Sequence, residues 1–318
     1  MRILRPLLHI CARLVAGLIA ASIIIFIALR IIPGNPAAIS LGVSATPEAV
    51  AKLSHELGTD RPLLTQFADW FLGMLRGDFG VSLSSKHDIG PMIADRAQVS
   101  AIMCGCAMIL SLLIAIPVGM WAARRQHHVD GLLVSAASQV GMAIPNFLAA
   151  LLLVAILALH WRLLPAMGWV VPGDRPGAFL AHLVLPVVSL TLVQSAILAR
   201  YIRSAILDVI AEDHIRTARM TGLSLGAALR RHGLRHAALP VLTVAGVQLT
   251  SLVIGAVVIE RVFMVPGLGS LLVDAVSTRD LPLVQAVVMC LVAFTLIVNF
   301  LVDATATLID PRVRSELS

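Results

Sequence analysis

Six long apolar runs set the pattern of this chain: Leu14–Leu29, Ile102–Ala123, Leu132–Leu159, His182–Leu198, Ala237–Ile259 and Leu283–Val302. With a helical rise of about 1.5 Å per residue, runs of this kind cross about 30 Å of hydrocarbon, so they predict six membrane-spanning helices. Several contain proline (Pro117, Pro145, Pro186 and Pro240), which membrane helices accept when neighbouring groups bond the freed carbonyls. The opening run follows Arg2 and Arg5 as a secretory leader would. It is longer than a leader's apolar core and no small-x-small cleavage site follows directly, so it reads as a retained first span.

The polar text between the runs divides the chain into residues 1–31, a loop domain at 32–97, and a five-helix core at 98–318 with a basic loop at about 204–236. Inside the first loop, TPEAVAKLSHELG predicts a helix capped by Thr46, opened by Pro47 and closed by Gly58. Arginine placement gives a direction. Arg2, Arg5, Arg124, Arg125, Arg312 and Arg314 share one side with Arg200, Arg203, Arg216, Arg219, Arg230, Arg231 and Arg235. The short loops opposite carry only Arg162, Arg175, Arg261 and Arg279. The positive-inside rule therefore puts both termini and the basic loop in the cytoplasm, and the loop domain outside.

Composition agrees: 58% of residues are apolar and 13% charged, against about 25% charged in soluble domains. The net charge of +6 could suggest nucleic acid, but the only lysines are Lys52 and Lys86, and aromatic residues for base stacking are few and scattered. The four cysteines, Cys11, Cys104, Cys106 and Cys290, all fall in apolar runs without metal or redox spacing, and read as packing residues.

The basic loop is more regular than a charge anchor requires. Asp213 precedes HIRTARMTG and Gly222 ends it, predicting a two-turn helix with an acid at its N-cap and glycine past its end. Ser224 then caps a second helix that runs to Pro240. Ile215 and Ala218, three apart with Gly222 a turn on, make a small apolar stripe opposite Arg216 and Arg219. Lipid phosphates would attract the arginines, whereas a protruding capped helix suits a groove on a soluble partner.

The loop and its flanks also carry a resemblance. YIRSAILDVIAEDHIRTARMTGLS, GAVVIERVFMVPGLGSLLVDAVSTRDLPLVQAVV and NFLVDATATLIDPRVR resemble the inner-membrane permease subunits of ABC importers, in the branch for dipeptides, oligopeptides and nickel. The likeness covers almost the whole chain, including RIIPGNPA and LGTDRPLLTQFADWFLGMLRGDFGVSL. It implies an all-α polytopic protein with the type I importer permease fold, in a prokaryotic inner membrane. It also implies a coupling helix for an ATPase at Asp213, Ile215, Arg216, Ala218, Arg219, Gly222 and Leu223. Arg216-Thr217-Ala218 stands where the general signature opens Glu-Ala-Ala, Met220-Thr221 where Ala-Lys is commoner, and His214 where an aromatic is usual. The implied partners are a second permease, two cytoplasmic ATPases holding ATP and Mg, an external solute-binding protein and membrane lipid. Pro266, Gly267, Gly269 and Asp280, around a predicted turn and the short helix LLVDAV, would form the outer gate facing that binding protein.

No catalytic residue, cofactor or metal site of this chain's own is expected. GLSLG at Gly222–Gly226 has the spacing of a nucleophile elbow but follows a basic helix, so Ser224 reads as a cap. HELGT at His55 lacks the second histidine of a zinc helix, and neither lysine follows glycine as a phosphate loop needs. Polar residues within the runs remain. Asn146, Gln194 and Gln248 are candidates for a translocation path or for bonds between helices, and Asn299 and Asp303 lie one turn apart. Asp303 is taken as the only acid within a span. A self-contained secondary carrier is the rival reading, usually marked by repeats, broken helices and central charges. Peptides are the expected substrate, with nickel or its chelates as the alternative.

Overall fold

The computed structural model describes residues 4–31, 36–41, 45–56 and 58–309. Arg2, Arg312 and Arg314, which helped to set the direction, lie outside them. Helices make up most of the described chain. In order come α1 (Leu4–Ile31), α2 (Pro36–Leu41), α3 (Pro47–Glu56), α4 (Leu63–Leu75), α5 (Ile89–Arg124), α6 (Val129–Ala143) and α7 (Asn146–Leu153). A π-helical turn, Val154–His160, extends α7. Then follow α8 (Pro176–Ala211), α9 (Asp213–Met220), α10 (Leu225–Ala228), a second π turn at Leu229–Gly233, α11 (Leu234–Val262), α12 (Leu268–Ser277) and α13 (Leu281–Ile309).

Among the described residues, five helices carry segments long and apolar enough to span a membrane: Pro6–Ile31, Ile89–Arg124, Pro176–Ala211, His236–Val262 and Leu281–Leu308. The expected third span is not a single rod. It divides into α6 and α7 with its continuation, bent by 96°. The cause is local: Pro145 lacks an N–H and crowds the residue before it, so Ile144 turns to ψ 120° and the helix stops. Pro117, Pro186 and Pro240 stay inside continuous helices.

The chain folds as two compact units. One comprises residues 1–10, 100–265 and 298–318. In it α8 packs against α6, α7 and α11. Thr191 Oγ1 donates to the Ala107 carbonyl of α5 at 3.4 Å. Gly119 lets α5 approach closely, since a Cβ there would lie 2.8 Å from the Ala199 carbonyl. The core beside the basic loop gathers Leu198, Ile202, Ile206, Val209, Ala228 and Leu229. Exposed Ile109, Leu113, Leu133, Leu159 and Ile254 cover outward faces, the arrangement hydrocarbon favours. The expected loop from 204 is helical as far as Ala211, because α8 runs on beyond the apolar stretch.

The other unit comprises residues 11–99 and 266–297, so the loop at 32–97 shares its core with parts of α1, α12 and α13. Ile89, Ile93, Leu271, Ala275, Leu283 and Val287 form that core. Phe26 packs edge-on to Phe67 at 5.4 Å and stacks on Trp70 at 6.2 Å. Thr46 caps α3 as its sequence predicts, accepting the Ala49 N–H at 3.3 Å, and Gly58 takes φ +65° just past the end of α3.

Candidate functional sites

The basic helix α9 is closed by chemistry its sequence announces. Gly222, at φ +96°, sends its N–H to the Arg219 carbonyl at 3.1 Å, and Leu223 sends its own to Ala218 at 3.3 Å. These are the paired bonds of a Schellman motif. Ser224 Oγ then accepts the Ala227 N–H at 3.3 Å, so this serine is the cap of α10. At the other end the structure corrects the expectation. Glu212 is the N-cap and Asp213 the first helical residue, exposed and 3.7 Å from Arg216 Nη1. Such an exposed pair contributes little, about 0–1 kcal/mol.

The apolar stripe is also placed differently. Ile215 is fully buried and Ala218 nearly so, both in the core with Ile202, Ile206 and Val209 of α8. The stripe thus anchors α9 to its own bundle and is not presented to a groove. Burying an isoleucine contributes about 1.5–3 kcal/mol, enough to hold a two-turn helix against fraying. What α9 presents outward is Asp213, Arg216, Arg219 and, at 87% exposure, Met220. Gly222 is exposed and Leu223 half-buried. Behind the helix, His214 Nδ1 lies 3.0 Å from Glu212 Oε2, and its ring lies 4.8 Å from that of His236.

Two of the three candidate path residues meet. Gln194 Nε2 of α8 donates to Gln248 Oε1 of α11 at 3.2 Å. Asn146, the first residue of α7, stands against α11 two turns along, where a Cβ on Gly255 would approach Asn146 Nδ2 to 3.0 Å. Asn146 Oδ1 is buried without a partner among the described residues. Three side-chain amides therefore lie along one face of α11, joining helices α7, α8 and α11.

The last turns of α11 hold a residue the sequence reading missed. Glu260 is 1% exposed, and Ser100 Oγ of α5 donates to its Oε1 at 2.6 Å. Asp303 is therefore not the only acid in a span. The predicted run stopped at Ile259, one residue short, because the apolar text ends there. A second signal was available, since a lone acid directly after an apolar run is costly in lipid and needs a partner. Past Glu260 the turn is made by Met264 at φ +53°, not by Gly267 or Gly269. Met264 N–H bonds to Arg261 and Val265 N–H to Glu260, again in Schellman fashion.

In the other unit, Pro266 is half-buried, Gly267 is the extended N-cap of α12, and Gly269 and Asp280 are buried. Asp280 does not project as a gate residue facing a soluble partner would. Its Oδ2 accepts from Ser82 Oγ at 2.6 Å, Ser84 Oγ at 2.8 Å and Ser84 N–H at 3.1 Å. Its Oδ1 accepts from Leu283 N–H at 3.3 Å, which caps α13. Burial pushes this carboxyl up, but the bonds from Ser82, Ser84 and the Leu83 backbone outweigh it and hold it below the ordinary carboxylate value. Asp280 fastens the 82–84 turn to the start of α13.

Long apolar helices, a capped basic helix and amides along a helical bundle describe a transport protein of the membrane, and sequence comparison gives the family. The chain belongs to the binding-protein-dependent transport system inner membrane components. That family's model matches residues 115–315, and the model of its N-terminal region matches residues 3–112. It is an inner-membrane permease of an ABC importer. The probable peptide ABC transporter permease protein y4tP of Sinorhizobium fredii is 36% identical over 300 residues, 94% of this chain and 96% of that one. A putative peptide transport system permease protein of Brucella abortus is 35% identical over 303 residues, 95% and 96% of the two chains. The dipeptide transport system permease protein DppB of Escherichia coli K12 is 33% identical over 320 residues, 93% and 94%.

Proposed function

We propose that this chain is a pore subunit through which short peptides enter the cytoplasm by alternating access. A second, related permease completes the path, two cytoplasmic ATPases bind ATP and Mg, and an external binding protein delivers the peptide. Relatives named for peptide and dipeptide transport support that substrate class. Both termini and α9 lie on the cytoplasmic side, the orientation that the arginine distribution favours.

The observation that carries the coupling role is the two-sidedness of α9. Its inner face is locked by Ile215 and Ala218 into the end of α8, while Arg216, Arg219 and Met220 stand outward. A push by an ATPase on the outer face passes to α8 as one body. ATP binding then shifts the population between inward- and outward-facing states by its differential affinity for them. Side-chain amides at Asn146, Gln194 and Gln248 donate and accept as a peptide bond does, so they can exchange their own pairing for the substrate backbone.

The test uses proteoliposomes holding the assembled importer, supplied with its binding protein and a labelled dipeptide. Met220→Asp, at an exposed position, leaves the fold of this chain intact and abolishes ATP-dependent uptake. Uptake by the purified chain alone, without ATP, would refute the proposal and make it a secondary carrier.

A further inference from the structure

Between α5, α6 and α8, within one unit, two cavities adjoin. The first, about 180 Å³, is lined by Ser135, Ser138, Gln139, Arg200, Arg203 and Ser204 on one part of its wall and by apolar residues, Ala122 among them, on the rest. The second, about 430 Å³, is mostly apolar and is bounded by Ile114, Ala137, Gly141, Ile144, Ala149 and Leu192 among others. Val118, Val134, Ser138 and Ala199 border both, so the two form one site with a charged head and an oily groove.

The geometry points to a binding site for one anionic phospholipid, a phosphatidylglycerol, with its phosphate between Arg200 and Arg203 and an acyl chain in the groove. Charge carries the argument first. Among the described residues neither arginine forms an ion pair. Arg200 touches only Met142 Sδ, at 4.0 Å, and the Tyr201 ring, and the Arg203 Nε is buried with no partner. Two guanidinium groups one turn apart on α8, at the edge of a cavity without a carboxylate, call for an anion with oxygen acceptors.

The hydroxyls narrow the headgroup. Ser135 Oγ donates to the Gly131 carbonyl at 2.8 Å and Ser138 Oγ to Val134 at 3.0 Å. Their protons are committed, and their lone pairs remain to accept from a hydroxyl-bearing headgroup such as glycerol. Small residues make the groove: Gly141 approaches α8 so closely that a Cβ would lie 2.9 Å from that of Ala196. The polar head lies toward the basic end of the bundle, about two turns before the end of α8, the level of cytoplasmic headgroups, where basic pockets between spans hold anionic lipid.

The assembled complex is purified in mild detergent, stripped of lipid, and given dioleoyl-phosphatidylglycerol or dioleoyl-phosphatidylethanolamine before native mass spectrometry. One phosphatidylglycerol per chain is retained, in about tenfold preference over phosphatidylethanolamine, and Arg200→Gln or Arg203→Gln lowers retention about tenfold. Ala137→Trp, which fills the groove and spares both arginines, gives the same loss. If that variant fails to assemble, Leu192→Trp on the exposed rim serves. The inference is overturned if the double Arg→Gln variant, with unchanged helix content, keeps its lipid. It is equally overturned if millimolar inorganic phosphate displaces the lipid completely, or if Ala137→Cys cross-links to a protein subunit in native membranes.

Discussion

Replacing Asp280 with alanine removes the acceptor of four hydrogen bonds at once, from Ser82 Oγ, Ser84 Oγ, Ser84 N–H and Leu283 N–H. A bond to a charged group contributes about 1.5–3 kcal/mol, and a buried donor left unpaired costs about 1–3 kcal/mol. Donors sharing one carboxylate are not additive, so the net loss is about 3–5 kcal/mol, the top of the single-substitution range. Asp280→Asn should lie between, because it keeps an acceptor for Leu283 but turns an NH₂ toward the donors of the 82–84 turn. Hydrogen exchange reads the effect locally. The turn bonds Ser82 N–H to His87 and Ile89 N–H to Gly80 should open faster, while α9 exchanges as before. The pH sign follows from the lowered carboxyl. Its contribution is complete above the ordinary aspartate value near 4, and fades as pH falls below that value and through the lowered one. Alanine at 280 within about 1 kcal/mol of wild type would refute the reasoning. So would exchange over residues 80–88 that is indifferent to acid after correction for the intrinsic rate.

Three further outcomes follow from the same geometry. Ser100→Ala strips the buried Glu260 of a 2.6 Å donor and should cost about 1.5–3 kcal/mol in denaturant unfolding, with Glu260→Gln milder because its amide oxygen still accepts from Ser100. Arg279, at φ +55° after α12, sits where glycine is unstrained; Arg279→Gly should raise stability by about 0.5–1 kcal/mol and Arg279→Val should lower it, read as opposite shifts in melting temperature. Gly119→Ala would place a Cβ 2.8 Å from both the Ala199 carbonyl and Ile202, so it should force α5 from α8 at about 1–3 kcal/mol or more, measured by thermal unfolding.

Much of this protein is written locally. The spans are long apolar runs that no soluble fold would expose, and Thr46, Gly58, Gly222 and Ser224 act on neighbours within five residues, so their turns were legible as text. Errors arose where the partner is distant or the cue ambiguous. Pro145 ends its helix while Pro117, Pro186 and Pro240 stay inside theirs, and the residue type alone does not distinguish the four. Met264 takes the left-handed turn that composition would assign to the nearby Gly267 or Gly269, and Arg279 takes another with no glycine beside it.

Tertiary structure alone decided which way each marked residue faces. The spacing of Ile215 and Ala218 announces a stripe, but only the end of α8 reveals that the stripe is consumed inside the bundle, leaving Met220 outward. Asp280 reads as a loop acid until Ser82 and Ser84, some two hundred residues away, are seen to enclose it. Glu260 has the same history with Ser100. Arg200 and Arg203 count equally toward membrane direction whether or not α6 builds a cavity beside them. Helix formation and capping are short-range and follow from residue order, whereas burial and pairing depend on contacts closed through space, which no window of sequence contains.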